Sequence, residues 1–131
     1  MFQHFVITRF NLRKKDWQTS KSNTQVLTDT WMENRLALFE NYCFSSLAAQ
    51  TEQNFTWLVF FDNTTPDKFR SVIARLELTF SQFTPIYIDG MDAFLTQSQA
   101  QINQRLWEPY VITSRLDNDD SLHQDYIKEV Q

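Results

Sequence analysis

The stretch from Tyr110 to Ser121, YVITSRLDNDDS, decides how this chain is read. Its opening, Tyr110-Val111-Ile112-Thr113, is an apolar run with the composition of a buried strand. That run delivers Arg115 and then Asp117, Asn118, Asp119 and Asp120 to the strand's carboxyl end. Three carboxylates within four residues repel one another unless positive charge sits between them. A divalent cation, Mg²⁺ or Mn²⁺, is the natural counter-charge because both favour oxygen ligands. Asp117 and Asp119, two apart, straddle such a site, while Asp120 either joins them or caps the following helix. The competing reading is an acidic amino-terminal helix cap with no ion.

Two other metal readings fail. An EF-hand opening with Asp117-x-Asp119-x-Ser121 would need Gly at its sixth position and Glu at its twelfth, where this chain has Leu122 and Lys128. Zinc lacks a ligand set, since His4 and His123 have no partners at ligand spacing and Cys43 is the single cysteine. The same single cysteine rules out an internal disulfide. On the apolar face of an expected helix, Cys43 reads as a buried, inert thiol.

Working outward, residues 4–10 (HFVITRF) form a short strand that leaves Thr8 and Arg9 at its exit. Residues 11–28 are polar without a period, which predicts a long loop. Residues 29–50 predict a helix. Met32, Leu36, Phe39, Cys43 and Leu47, spaced four, three, four and four apart, share its inner face. Asp29 or Thr30 can cap it, with Glu33 completing a capping box. Arg35 reads either as a surface charge paired with Glu40 or Asp29, or as a group placed to meet an anion. The near-continuous apolar run Phe55–Phe61, ending at Asp62, predicts a strand covered on both faces. A helix follows from about Pro66 to Leu78, with Thr65 as its expected cap and Phe69, Val72, Ile73 and Leu76 inward. Phe83–Ile88 is a third strand ending at Asp89-Gly90, and residues 92–107 a third helix stopped by Pro109. Ser121–Gln131 has the look of another helix start.

Strands alternating with helices imply right-handed βαβ units. The fold expected is therefore α/β, three-layered and Rossmann-like, with a mostly parallel sheet and helices on both faces. Ligands of such sheets bind outside the carboxyl ends of the strands. Those ends here carry Thr8 and Arg9, Asp62, Asp89, and Arg115 through Asp120. Any strand end also needs polar turn residues, so Asp62 and Asp89 read equally as helix caps.

Composition bounds the function. A chain of 131 residues is one domain, and its 12 Phe and 4 Trp supply a bulky core. One glycine leaves no glycine-rich phosphate loop and excludes both the P-loop and the dinucleotide fingerprint. The net charge is −4, with six Lys/Arg against three Asp/Glu in residues 1–35 and six against thirteen beyond. An acidic chain without a basic stripe argues against nucleic-acid binding. The basic excess at Arg9, Arg13, Lys14 and Lys15 suits a phosphate, or equally a solvated loop. Residues 1–10 hold no signal-peptide core and no apolar run approaches a membrane span, so a cytoplasmic protein without a transmembrane segment is expected.

Three segments together resemble a known family. Ser45–Thr51 (SSLAAQT), Asn54–Pro66 (NFTWLVFFDNTTP) and Tyr110–Asp120 (YVITSRLDNDD) resemble, in that order, the nucleotide-binding half of GT-A glycosyltransferases, and most closely the bacterial rhamnosyltransferase group. The family's Ser-Leu-x-x-Gln-Thr stretch is matched by Ser46, Leu47, Gln50 and Thr51. Its nucleobase-contacting aspartate is matched by Asp62, and its D-x-D metal motif by Asp117, Asn118, Asp119 and Asp120. The resemblance spans nearly the whole chain and implies the amino-terminal, donor-binding part of a longer glycosyltransferase. It implies a nucleotide-diphosphate sugar donor, a glycan or other hydroxyl acceptor, and Mg²⁺ or Mn²⁺ as Lewis acid. Thr8, Arg9, Asp62, Asp89 and Arg115 are the donor-binding candidates; Asp117, Asp119 and Asp120 are the metal ligands. The segment after Phe10 departs from the family pattern, and no catalytic base is assignable. The rivals are a magnesium-dependent phosphotransferase, for which Asp89 with Asp92 is a thin second acidic cluster, and a receiver-like α/β domain, which lacks its late strand-end lysine here.

Overall fold

A computed structural model describes residues 1–13 and 29–131. From residue 14 onward, the loop expected over 11–28 lies outside the described residues, as do Lys14 and Lys15. The chain runs β1 (Phe2–Arg9), α1 (Asp29–Leu38), a π-helical segment (Phe39–Phe44), α2 (Ser45–Ala48), β2 (Thr56–Asp62), α3 (Asp67–Thr79) and β3 (Phe83–Ile88). A 3-10 turn (Met91–Ala93), α4 (Phe94–Arg105), β4 (Tyr110–Arg115) and α5 (Tyr126–Val130) complete it. The strands form one sheet in the order β3-β2-β1-β4, with every neighbouring pair parallel. The expected α/β Rossmann-like architecture is therefore present.

The two faces of the sheet explain the continuous apolar runs. Val6, Trp57, Val59 and Phe61 point to one face, where α1, the π-segment and α3 cover them through Met32, Leu36, Phe39, Ile73 and Leu76. Phe5, Ile7, Leu58 and Phe60 point to the other, beneath Phe94 and Ile102 of α4. A strand apolar at every position has no solvent face, so period-2 alternation disappears. Phe39 is the hub of the larger core, with its ring 5.2 Å from Phe10, 5.3 Å from Trp57 and 5.9 Å from Phe83.

Helix placement follows from chirality. Right-handed crossovers that step from β1 to β2 to β3 put their helices on one face; the return jump from β3 to β4 must use the other. The direction of winding therefore reverses between β1 and β4. In sheets of this kind that reversal marks where ligands bind, outside the carboxyl ends of the strands.

Several expectations are corrected. The strand opening at Tyr110 is not buried: β4 is an edge strand, with Tyr110 68% and Val111 44% exposed. The first helix is not uniformly α. Its π-segment brings Phe39, Cys43 and Phe44 together onto the buried side, and the Ser45 hydroxyl donates to the Glu40 carbonyl five residues back (2.8 Å). Thr65 does not cap α3; its hydroxyl donates to the Asp62 carbonyl (2.6 Å), and Pro66 occupies the cap position. Arg35 pairs with neither Glu40 nor Asp29, which bind Arg75 and Lys68 instead. Within Ser121–Gln131 only Tyr126–Val130 is helical.

Candidate functional site

The exits of β1, β2 and β3 are tied together by side chains. Phe10 extends the β1 ladder by donating its N–H to Phe60 (2.8 Å). Buried Asn11 accepts the Asp62 N–H (3.0 Å) and donates to the Thr65 hydroxyl (3.0 Å). Asp62, its side chain 1% exposed, accepts the Arg13 N–H (2.9 Å), the Thr64 N–H (3.0 Å) and the Thr64 hydroxyl (2.7 Å). The Arg13 guanidinium forks between Asp62 (3.4 Å) and Asp89, whose own side chain is 75% exposed. The Arg13 carbonyl accepts the Met91 N–H (2.8 Å). Gly90, at φ +76°, makes that approach possible, because a Cβ there would lie 2.9 Å from the same carbonyl oxygen.

Thr8 is fully buried, and its hydroxyl accepts the Trp57 indole N–H (2.9 Å). Arg9 is exposed and reaches Met91 Sδ (3.7 Å). Arg115 lies on the α4 side, its guanidinium 5.8 Å from the centre of the Phe94 ring. Of the five donor-binding candidates, Arg9, Asp89 and Arg115 are open to solvent, whereas Thr8 and Asp62 lie beneath the surface.

Beside these exits stands the acidic turn. Asp117, Asp119 and Asp120 are all exposed and each offers a carboxylate oxygen within 4.8 Å of the others. The turn closes with the Asp120 N–H donating to the Asp117 carbonyl (3.2 Å). Asn118 points the other way and donates to the Phe10 carbonyl (3.2 Å), stitching the turn to the β1 exit. Among the described residues, Arg35 supplies the cation paired with the cluster: its Nη1 lies 2.9 Å from Asp119 Oδ2, with its guanidinium 5.2 Å from the Trp31 ring centre. Below the turn, the Cys43 thiol donates to the Asp117 carbonyl (3.6 Å). Burial first, then the negative field of Asp120, Asp119 and Asp117, pushes that thiol far above its usual range, so it stays protonated and unreactive.

The donor set suits a hard divalent ion: converging carboxylates, no sulfur, no imidazole, and room for water or substrate oxygens on the open side. The sequence reading missed Asn11 and the partners of Arg13 and Arg35. Arg35 and Asp119 are 84 positions apart, and only the tertiary fold, which brings the α1 side chain to the turn after β4, unites them.

A second concavity lies at the opposite end of the sheet, about 110 Å³ and lined in part by Gln3, His4, Asn54 and Trp107. Its Gln3 and His4 side chains are already engaged. Gln3 binds the Arg105 carbonyl (2.7 Å) and the Trp107 and Glu108 N–H groups (2.8 and 3.0 Å). His4 Nε2 meets the Ser114 hydroxyl (2.7 Å), and its Nδ1 accepts from the Gln131 amide (3.3 Å). Chemistry, rather than concavity, therefore places the candidate site at the acidic end.

The fold and this edge define an α/β protein with charged side chains gathered at the strand exits of its topological switch point. Comparison with known families narrows that class: a family model described as "Putative rhamnosyl transferase" matches residues 3–131. The chain belongs to this family, whose description is that of a glycosyltransferase. No curated protein and no solved structure matches it. Among the described residues no helix is long and apolar enough to cross a membrane.

Proposed function

We propose that the chain is a GT-A-type donor-binding domain that receives a nucleotide-diphosphate sugar at the carboxyl edge of its sheet, for transfer of the sugar to a hydroxyl acceptor on a glycan or another molecule. The observation that carries this reading is the convergence of Asp117, Asp119 and Asp120 at the switch point, in a chain of the rhamnosyl transferase family. These three residues would hold Mg²⁺ or Mn²⁺. When bound, the ion supplies Lewis-acid stabilisation of the departing diphosphate.

The remaining roles belong to the chain itself. Arg9, exposed on the β1 side, is free to make charge-assisted bonds to phosphate oxygens, and Arg115 offers the same chemistry from β4. Asp89, three-quarters exposed, presents acceptors to ribose hydroxyls or a base edge. Asp62 supports that contact from below by fixing Arg13, and Thr8 fixes Trp57 beneath the floor. Arg35 orients Asp119 and limits repulsion within the turn.

Calorimetric titration with Mn²⁺ and then UDP, GDP and dTDP tests the reading. Nucleotide binding that requires the cation and prefers one base is the expected result. Cation binding with no nucleotide preference would instead support a receiver-like regulatory domain, and a preference for a triphosphate with two ions a phosphotransferase.

A further inference from the structure

Of the Ser-Leu-x-x-Gln-Thr stretch, Leu47 is buried in the core, whereas Ser46, Gln50 and Thr51 bond to the segment that follows the acidic turn. We propose that Ser46 and Gln50 are positioning residues for the cation ligands. They clamp the downstream root of the turn so that three mutually repelling carboxylates converge. The inference rests on the cation-binding reading above.

The upstream root of the turn needs no help. Leu116 donates its N–H to Ile7 (3.0 Å), extending the β1–β4 ladder. The downstream root has no ladder, because residues 121–125 are irregular and α5 is five residues long. Its backbone groups are met by side chains from the end of the first helix. The Ser46 hydroxyl donates to the Cys43 carbonyl (2.8 Å), which leaves its lone pairs for the Leu122 N–H (3.0 Å). Gln50, buried, donates Nε2 to the His123 carbonyl (2.7 Å) and to the Ser46 carbonyl (3.1 Å), while Oε1 accepts the Ile127 N–H (3.1 Å). Reversing that amide would set nitrogen against an N–H and oxygen against two carbonyls, so its orientation is determined. Thr51 completes the grip: its N–H donates to the Gln124 carbonyl (2.8 Å) and its hydroxyl to Asp125 Oδ1 (2.7 Å).

The turn gathers three carboxylates within 4.8 Å of one another, with Arg35 paired to Asp119 alone of the three. Left to their repulsion, Asp117 and Asp120 would move apart. With both roots fixed, the ligand oxygens stay within 4.8 Å. Outer contacts that orient metal ligands typically alter metal affinity by about 10- to 100-fold when removed. Ser46 and Gln50 touch no ligand position and act only through the backbone.

The test compares Ser46→Ala, Ser46→Thr and Gln50→Leu with Gln3→Leu, a control that loses buried bonds to the Arg105 carbonyl and the Trp107 and Glu108 N–H groups at the opposite end of the sheet. Amide hydrogen exchange over residues 117–122 and Mn²⁺ affinity by electron paramagnetic resonance are read for each, beside global stability. Expected are faster exchange confined to that segment and an affinity loss of about tenfold in Ser46→Ala and Gln50→Leu. Recovery in Ser46→Thr and neither change in Gln3→Leu are also expected. Exchange and affinity that merely follow global stability, with Gln3→Leu as harmful as Ser46→Ala, would overturn the proposal. A wild-type chain that takes up no Mn²⁺ would remove the cation site and the positioning role with it. The exchange data would still show whether the clamp orders the turn, so the two failures are told apart.

Discussion

Asp62 and Asp119 both stand at strand exits, and both face an arginine. Asp62 is sealed: 1% of its side chain is exposed, and it accepts from Arg13 and twice from Thr64. Asp119 is 50% exposed, shares one guanidinium with its surroundings, and lies beside two further carboxylates. The first arrangement consumes a carboxylate's acceptor capacity within the protein; the second leaves it facing outward. Saturated carboxylates hold a fold together, whereas unsaturated ones clustered at a strand exit are open to a positive ligand.

That contrast can be broken most forcefully at Asp62. Asp62→Ala strands Arg13 and Thr64, and the expected cost is about 3 kcal/mol, the low end for breaking a buried pair because Arg13 is itself partly exposed. Urea unfolding at constant m-value measures it. A cost within about 0.5 kcal/mol, as for an ordinary surface site, would erase the distinction between the two carboxylates. Gly90→Ala comes next. A side chain at φ +76° and ψ −179°, in contact with the Arg13 carbonyl, is expected to cost about 1–3 kcal/mol by the same assay. Arg35→Gln sharpens the other side. At low salt it should cost about 0.5 kcal/mol through unrelieved repulsion, and added salt should shrink the difference by screening.

The smallest effect concerns pH. Burial lowers the pKa of His4 below its usual 6.5, so the folded state favours the neutral ring. The unfolded chain then binds more protons below that value, and stability should fall as pH drops from 6.5 through the folded-state pKa. His4→Gln should flatten that part of a pH-dependent unfolding curve; an unchanged slope would assign the pH dependence elsewhere.

Much of the fold was legible in the sequence because its signals are local. Met32, Leu36, Phe39, Cys43 and Leu47 all proved buried, and Phe83–Ile88 has the expected bounds. What escaped depends on distant partners. Tyr110-Val111-Ile112 is apolar enough for a central strand, but edge position is set by the β3-to-β4 crossover and not by composition. Thr65 has the right residue type for a cap, yet the Asp62 carbonyl competes for its hydroxyl. The acidic cluster was visible because its members are adjacent in sequence. Arg35, its counter-charge, was not, and neither was the clamp from Ser46 and Gln50, because nothing in either segment names the other.

The central claim is that the turn at Asp117–Asp120 holds a divalent cation. It is tested most directly by electron paramagnetic resonance titration of Mn²⁺ into the wild-type chain and into the Asp117→Asn/Asp119→Asn variant. The account predicts one saturable site in the wild type, a loss of affinity of at least about tenfold in the variant, and no loss of folding stability from the substitutions. Equal Mn²⁺ uptake by both chains, or a variant that unfolds with the ease expected of Asp62→Ala, would contradict it.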